Sequence, residues 1–322
     1  MPHPLRMLAA VVVAFTTLVP AGVTASDYPP SPFLGRTLYV DPASVSAEQA
    51  AALRATNPDA ADALYDIARQ SQADWYGDWI PTDSLSAAVA ARNQAIRAVH
   101  AYPVLVAYNI PERDCDSHSG GGAVSAGAYR AWIDALVDGI GSTPVAVIVE
   151  PDALAQLDCL SASEQRTRLD LLRYAVTELA AQPHIAVYLD AGHSDWVAAD
   201  EMAERLSRAG IGHARGFSLN VSNFGATVDE VAYGREISPQ IGWKRFVIDT
   251  SRNGNGAGTD GDWCNPTGRA LGQKPTALTG DRLVDAFLWI KHPGESDGTC
   301  NGGPAAGEFW WQYAMELARR TF

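Results

Sequence analysis

Basic residues are scarce in this 322-residue chain: 24 Lys and Arg stand against 37 Asp and Glu, a formal net charge of −13. So acidic a surface repels phosphate backbones, and nucleic acid is excluded as a partner. Cysteine is scarce as well. The four present, Cys115, Cys159, Cys264 and Cys300, form no C-x-x-C pair, and the seven histidines show no metal spacing. No metal and no cofactor are expected. No glycine-rich stretch runs into Lys-Ser or Lys-Thr, so a phosphate loop is absent. Past the N-terminus no segment is apolar for long enough to span a bilayer. Internal repeats, low-complexity tails and a Pro/Ser/Thr linker are missing too, so residues 26–322 read as one domain.

The N-terminus is different. His3 and Arg6 precede an apolar run from Met7 to Val19, and Val23-Thr24-Ala25 offers small residues for cleavage. Residues 1–25 are therefore expected to be a secretory signal peptide, and the chain to be secreted, with no membrane contact after cleavage. An even number of cysteines in an exported chain points to disulfides, with three pairings open. We expect Cys115–Cys159 and Cys264–Cys300, each stapling a loop that carries candidate site residues.

Strand-like and helix-like runs alternate along the chain. Candidate strands are Thr37–Val40, Trp75–Ile80, Pro103–Tyr108, Val145–Glu150, Ile185–Asp190, Gly216–Asn220, Arg245–Asp249 and Ala286–Lys291. Alanine-rich amphipathic helices are predicted at Ala47–Thr56, Ser84–Ala101, Ala126–Gly139, Ser163–Ala181, Val197–Ala209, Val228–Ile237 and Ala306–Arg320. Strict alternation with apolar strands is the pattern of an α/β protein with a parallel sheet, and this many units suggests closure into a barrel.

Ligands gather at the carboxyl ends of such strands. Here those ends carry polar residues: Tyr108, Glu150, Asp190, Asn220, Asp249 and Lys291. Any one of them could merely cap the next helix; six together point to a site. Two segments stand out. VAVIVEPDAL (Val145–Leu154) is a buried strand stopped by Pro151 and followed by Asp152, and PVLVAYNIPERDCD (Pro103–Asp116) is a strand broken at Pro111 and followed by Asp114. Two strand ends, each delivering an aspartate, make a candidate acid/base pair. Long loops at 116–125, 251–275 and 294–307, rich in Gly, Asn, Asp and Trp, exceed what barrel connections need and read as functional.

YNIPERDC (Tyr108–Cys115) and VIVEPDAL (Val147–Leu154) resemble the two signature segments of glycoside hydrolase family 6, the inverting β-1,4-glucan hydrolases. DAGHSDW (Asp190–Trp196), IDTSRNGNG (Ile248–Gly256), DWCNPTGRALG (Asp262–Gly272) and WIKHPGESDG (Trp289–Gly298) extend the resemblance over nearly all of the chain after the signal peptide. It implies a distorted, seven-stranded, TIM-like parallel β/α barrel with an open cleft. It also implies hydrolysis of internal bonds in cellulose, cello-oligosaccharides or a related β-glucan by a monomer, an endoglucanase. An exo-acting cellobiohydrolase and an inactive glucan-binding protein are the alternatives.

Inversion needs a proton donor and a second carboxylate ~6.5–9.5 Å apart, with a water between. By the resemblance Asp152 is the general acid, Asp114 sustains its pKa and relays a proton, and Asp297 holds the position of the base, directly or through a water chain. Tyr108 would press on the sugar at the scissile bond, while Lys291, Glu295 and Asn220 would bind hydroxyls. Trp75, Trp196 and Trp263 would be stacking platforms, an indole burying the flat apolar face of a glucose. Asp190, His193 and Asp249 would orient hydroxyls or neighbouring side chains. Where the family often has a serine six residues after the first aspartate, this chain has Gly120 with Ser119 beside it. Holding the water then falls to Ser119, to a backbone carbonyl or to neither.

Overall fold

The computed structural model describes residues 29–258 and 262–320; the expected signal peptide lies outside the described residues. Strands β1 Asp74–Gly77, β2 Val104–Tyr108, β3 Val145–Val149, β4 Ile185–Asp190, β5 Gly216–Leu219, β6 Arg245–Asp249 and β7 Val284–Leu288 form one sheet in the order of the chain. Every neighbouring pair is parallel. Helices α1 Val45–Leu53, α2 Pro58–Ala68, α3 Thr82–Ala98, α4 Ala126–Ile140, α5 Ala162–Ala180, α6 Ala199–Arg208, α7 Thr227–Ile237 and α8 Trp311–Arg319 make the crossovers and flanks. β2 and β3 are buried at every position, which is why VLVAY and VAVIV are apolar on both faces rather than alternating.

The sheet curls. Val106 and Tyr108 of β2, Ile148 of β3, Tyr188 of β4, Val247 of β6 and Leu288 of β7 belong to a single buried cluster, and a flat sheet would hold its outer strands apart. β1 and β7 nevertheless share no ladder. Three bonds cross the seam between them: Ala73 N–H to Trp289 O (3.1 Å), the Trp75 indole N–H to Ile290 O (2.8 Å) and His292 Nε2 to Ala73 O (2.6 Å). The result is a seven-stranded barrel left partly open along one side.

Local chemistry sets the helix starts. Ser125 caps α4 by accepting the Ala128 N–H, and α5 opens with a full capping box between Ser161 and Glu164. α2 was not anticipated, although Asn57 at its N-cap and Pro58 in its first turn are a start signal. Several expected elements differ at their ends: strand Trp75–Ile80 runs only to Gly77, and helices Ala47–Thr56 and Ser84–Ala101 stop at Leu53 and Ala98. Three others differ for a visible reason. Thr37–Val40 is no strand; it makes a single bridge, Leu38 to Tyr102, because turns at Ser31–Arg36 and Asp41–Ser44 leave it too short. β7 ends at Leu288 instead of Lys291, since the N–H groups of Ile290 and Lys291 are taken by the Asp249 carboxylate at 3.3 and 2.9 Å. The last helix begins at Trp311 rather than Ala306, after Gly307 turns the chain with φ +81°.

At the carboxyl rim the backbone is strained. Asp114, Glu150, Asp152, Asn220 and Ser222 all adopt positive φ, from 50° to 69°, at a cost of roughly 1–2 kcal/mol for each side-chain-bearing residue. Such conformations persist only where the surroundings hold them.

Candidate active site

Asp152 follows β3 directly. Its main-chain N–H donates to Asp190 Oδ1 at 2.9 Å, and Asp190 also accepts from the Gly192 N–H (3.0 Å) and the Ser218 hydroxyl (2.9 Å). Among the described residues nothing donates to Oδ1 of Asp152, which is buried. Burial, then the charges of Asp190, Asp114 and Asp297, push the Asp152 carboxyl well above its ordinary range. The shift favours the protonated form, the state that a general acid needs.

Asp114 sits on the turn after β2. Its Oδ2 accepts the Ser119 N–H and its Oδ1 the Gln156 amide, both at 2.8 Å. Gln156 lies in the short turn Ala155–Cys159 that follows Asp152, and the Cys115–Cys159 disulfide joins the same two segments. The two aspartates thus ride on one cross-linked piece of rim. Arg113 clamps the glycine-rich loop beyond: it donates to Ser119 O (2.9 Å), Tyr108 O (2.7 Å) and Asp78 (2.9 Å), and Asp78 accepts the Gly122 N–H (3.0 Å). The loop is glycine where it must be, because a Cβ at Gly122 would lie 1.9 Å from Ile110 O. Ser119 meets Asp114 through its backbone.

Asp297 faces the cleft from the loop after β7 and is ion-paired with Arg252 at 2.9 Å. It accepts the Asn265 N–H (3.0 Å), and Asn265 Oδ1 accepts the Asp297 N–H in return (2.8 Å). Arg252 is fully buried, lies over the Phe224 ring and also donates to Ser222 O. The Cys264–Cys300 disulfide ties the Trp263 loop to the Asp297 loop. His118 lies beside this disulfide, whose bonded sulfurs offer no thiolate to a metal.

A cleft of about 1570 Å³ runs past these groups, lined by Trp75, Trp79, Tyr108, His193, Trp196, Trp263, Lys291 and Glu295 together with the three aspartates. Trp79, Trp196 and Trp263 are 54%, 41% and 50% exposed, so each leaves a large part of its indole open. Trp75 meets Tyr108 edge-on at 5.3 Å. Burial, then Asp152 and Asp114, hold the Tyr108 phenol neutral. Lys291 and His292 flank Glu295 at 3.5 and 2.6 Å. Burial alone would raise the Glu295 carboxyl, but the two cations outweigh it and bring it down to about 2.

One expected contact residue, Asn220, lies away from the cleft surface, and Asp249, expected to orient hydroxyls or neighbouring side chains, lies behind the rim. Asn220 is fully buried, its amide donating to Asp249 O (2.8 Å) and accepting the Gly225 N–H (2.9 Å). It has no face on the cleft and holds β5 to β6. Asp249 is likewise buried, accepting N–H groups from Ser222 (3.1 Å) and Ser251 (2.9 Å) besides those of the β7 end, and burial raises its pKa. Glu150, buried, accepts the Asn109 and Ile110 N–H groups at 2.9–3.0 Å, and burial raises it to about 7. These carboxylates organise the rim from behind. Conversely Arg113, Gln156, Arg252, His292 and Trp79 were not singled out from the sequence. Arg113 and Arg252 could have been, since a cation embedded in an acid-bearing motif is the expected counter-charge of a buried carboxylate.

The model of the glycosyl hydrolases family 6 matches residues 33–321. Endoglucanase A of Cellulomonas fimi is 49% identical over 80% of this chain, which spans 56% of that protein's length. Endoglucanase 1 of Streptomyces halstedii is 40% identical, with 98% of this chain and 99% of that one covered. Among solved structures, the endoglucanase Cel6 from Mycobacterium tuberculosis, in complex with methyl-cellobiosyl-4-deoxy-4-thio-β-D-cellobioside, superposes with a TM-score of 0.87 at 48% identity, over 90% of this chain and 99% of that one. Motifs, curled sheet and rim of carboxylates have one common explanation: the chain belongs to family 6 of the glycosyl hydrolases.

Proposed function

We propose that the protein is a secreted endo-β-1,4-glucanase that hydrolyses internal bonds of cellulose or a related β-glucan with inversion. The observation that carries this reading is the Asp152 carboxyl, its pKa raised by burial and by neighbouring carboxylates, beside Asp114 and Asp297 in a cleft paved with half-exposed indoles. Glucose units stack on Trp75, Trp79, Trp196 and Trp263, burying their apolar faces while hydroxyls stay bonded at the edges. Tyr108 presses on the ring at the bond to be cut. Asp152 delivers its proton to the glycosidic oxygen as the C1–O bond breaks. A water attacks C1 from the opposite face, and Asp297 takes the proton it loses, directly or along a water chain. Asp114 adds to the charge, greatest from Asp190, that opposes ionisation of Asp152, and Arg252 holds Asp297 in place.

Cleavage within a chain is favoured by the exposed tryptophan faces, which accept a polymer without threading it, and by the endoglucanases among the similar proteins. Secretion accords with the two disulfides and with the absence, among the described residues, of a helix long and apolar enough to cross a membrane. An NMR time course on cellopentaose tests the chemistry: fresh reducing ends appear as the α-anomer, and β-anomer would overturn inversion. Carboxymethyl cellulose tests the mode. Viscosity falls well before reducing ends accumulate; a slow viscosity loss would make the enzyme exo-acting.

A further inference from the structure

His292 occupies an unusual place. Its ring sits at the seam between β1 and β7, on the wall of the cleft, with Nδ1 2.6 Å from Glu295 Oε1 and Nε2 2.6 Å from Ala73 O. A backbone carbonyl can only accept, and the Glu295 carboxylate, flanked by Lys291, is acceptor-only as well. A neutral imidazole has one N–H and cannot serve both. The geometry therefore calls for the doubly protonated ring.

We propose that His292 is an imidazolium clasp, a positioning residue that joins the two edge strands of the open barrel to the sugar-binding carboxylate Glu295, so that glucan affinity weakens when the ring loses a proton. Ala73, which it holds, also donates to Trp289 O, and two residues on the Trp75 indole donates to Ile290 O. The clasp thus fixes a stacking platform from one side of the seam and a charged hydroxyl acceptor from the other. Glu295 and Lys291 are the charged groups acting on the ring; Asp74, next to Ala73, is occupied by Arg92 at 2.7 and 3.0 Å. Burial works against the charged ring, and the Glu295 carboxylate outweighs it, so the imidazolium persists above the ordinary titration range near ~6.5. Deprotonation leaves an acceptor facing an acceptor on one side or the other, and one end of the clasp opens.

This rests on the glucan reading above, and its test has a part that does not. In the wild-type protein, 15N NMR of the His292 ring should show both nitrogens protonated at pH 7; a single-tautomer neutral ring there overturns the proposal. Binding is then measured by calorimetry with a sulfur-linked cellotetraose, which resists cleavage and removes the titration of catalysis. Wild-type Kd should rise about tenfold between pH 6 and pH 9, the loss of roughly one charge-assisted hydrogen bond. His292→Leu should bind about tenfold more weakly at pH 6 and show a flat profile; a variant that keeps the wild-type slope overturns the clasp. Should His292→Leu fail to fold, His292→Gln, which retains one donor, gives an intermediate and equally flat profile. A doubly protonated ring with no oligosaccharide bound at any pH supports the clasp and counts against the glucan reading.

Discussion

Asp190 accepts the main-chain N–H of Asp152 at 2.9 Å, so the carboxylate that fixes the acid's backbone is also, after burial, the neighbour that most opposes its ionisation. One buried group performs two tasks: it holds a residue at φ 69° and keeps that residue's side chain protonated. Burial raises Asp190 itself to about 7, against three hydrogen bonds that favour its charge.

Replacing Asp190 by Asn separates the tasks. The amide oxygen still accepts the Asp152 N–H, but the charge is gone. Asp152 then ionises more easily, and the alkaline limb of kcat/KM, set by loss of the acid's proton, moves down by about one pH unit. A pH–rate profile of Asp190→Asn checks this; an unmoved limb would mean that Asp190 acts through geometry alone.

Arg252 is the buried counter-charge of Asp297. Arg252→Met leaves a carboxylate without its partner, a loss of roughly 3–5 kcal/mol for a buried pair, and lowers Tm by on the order of 10 °C. Activity falls with it. The double variant Arg252→Met with Asp297→Leu should regain most of the stability and none of the rate, since no charge is then stranded. Calorimetry beside a reducing-sugar assay reads both.

Trp79 lies one helical-turn length of sequence beyond Trp75, with an indole so close to Gly77 that a Cβ there would come 2.3 Å from it. Its half-exposed indole lines the cleft as one more stacking face. Trp79→Ala should raise KM for cellohexaose about three- to tenfold with kcat little changed, the scale of one lost aromatic contact. An unchanged KM would mean that no sugar stacks on Trp79.

The buried rim sets how stability varies with pH. Glu150, Asp190 and Glu230, the last buried on α7 and accepting from the Ser194 hydroxyl, each titrate at about 7 in the fold, raised by burial. Raised carboxyls bind protons more tightly folded than unfolded, so their contribution is complete below the ordinary value near ~4 and is lost as pH rises through 7. Glu295 and Asp78 are lowered, so theirs is lost only in acid. Tm should be highest near pH 5 and decline by pH 8. A scanning-calorimetry series across that range checks the sign.

Much of this was readable along the chain. Apolar strands such as VLVAY and VAVIV, and a proline stopping one of them before Asp152, follow from local preference, because a strand buried on both faces leaves no polar position until it ends. The aspartates at 114 and 152 belong to those ends and are visible as such. The capping of α5 and the acidic charge balance are likewise local properties. Asn220 shows the boundary: as a polar residue at a strand end it looks like Asp152, yet it is spent on Asp249 O and Gly225 N–H.

What the chain order could not disclose depends on which ends come together in space. That Asp297 needs Arg252, that Gln156 steers Asp114, and that His292 must carry two protons are consequences of closing a sheet so that residues far apart in sequence share one low-dielectric rim. A carboxylate's neighbours decide whether it is acid, base or brace, and curling of the seven strands chooses those neighbours. The residue types came with the sequence; their protonation states came with the fold.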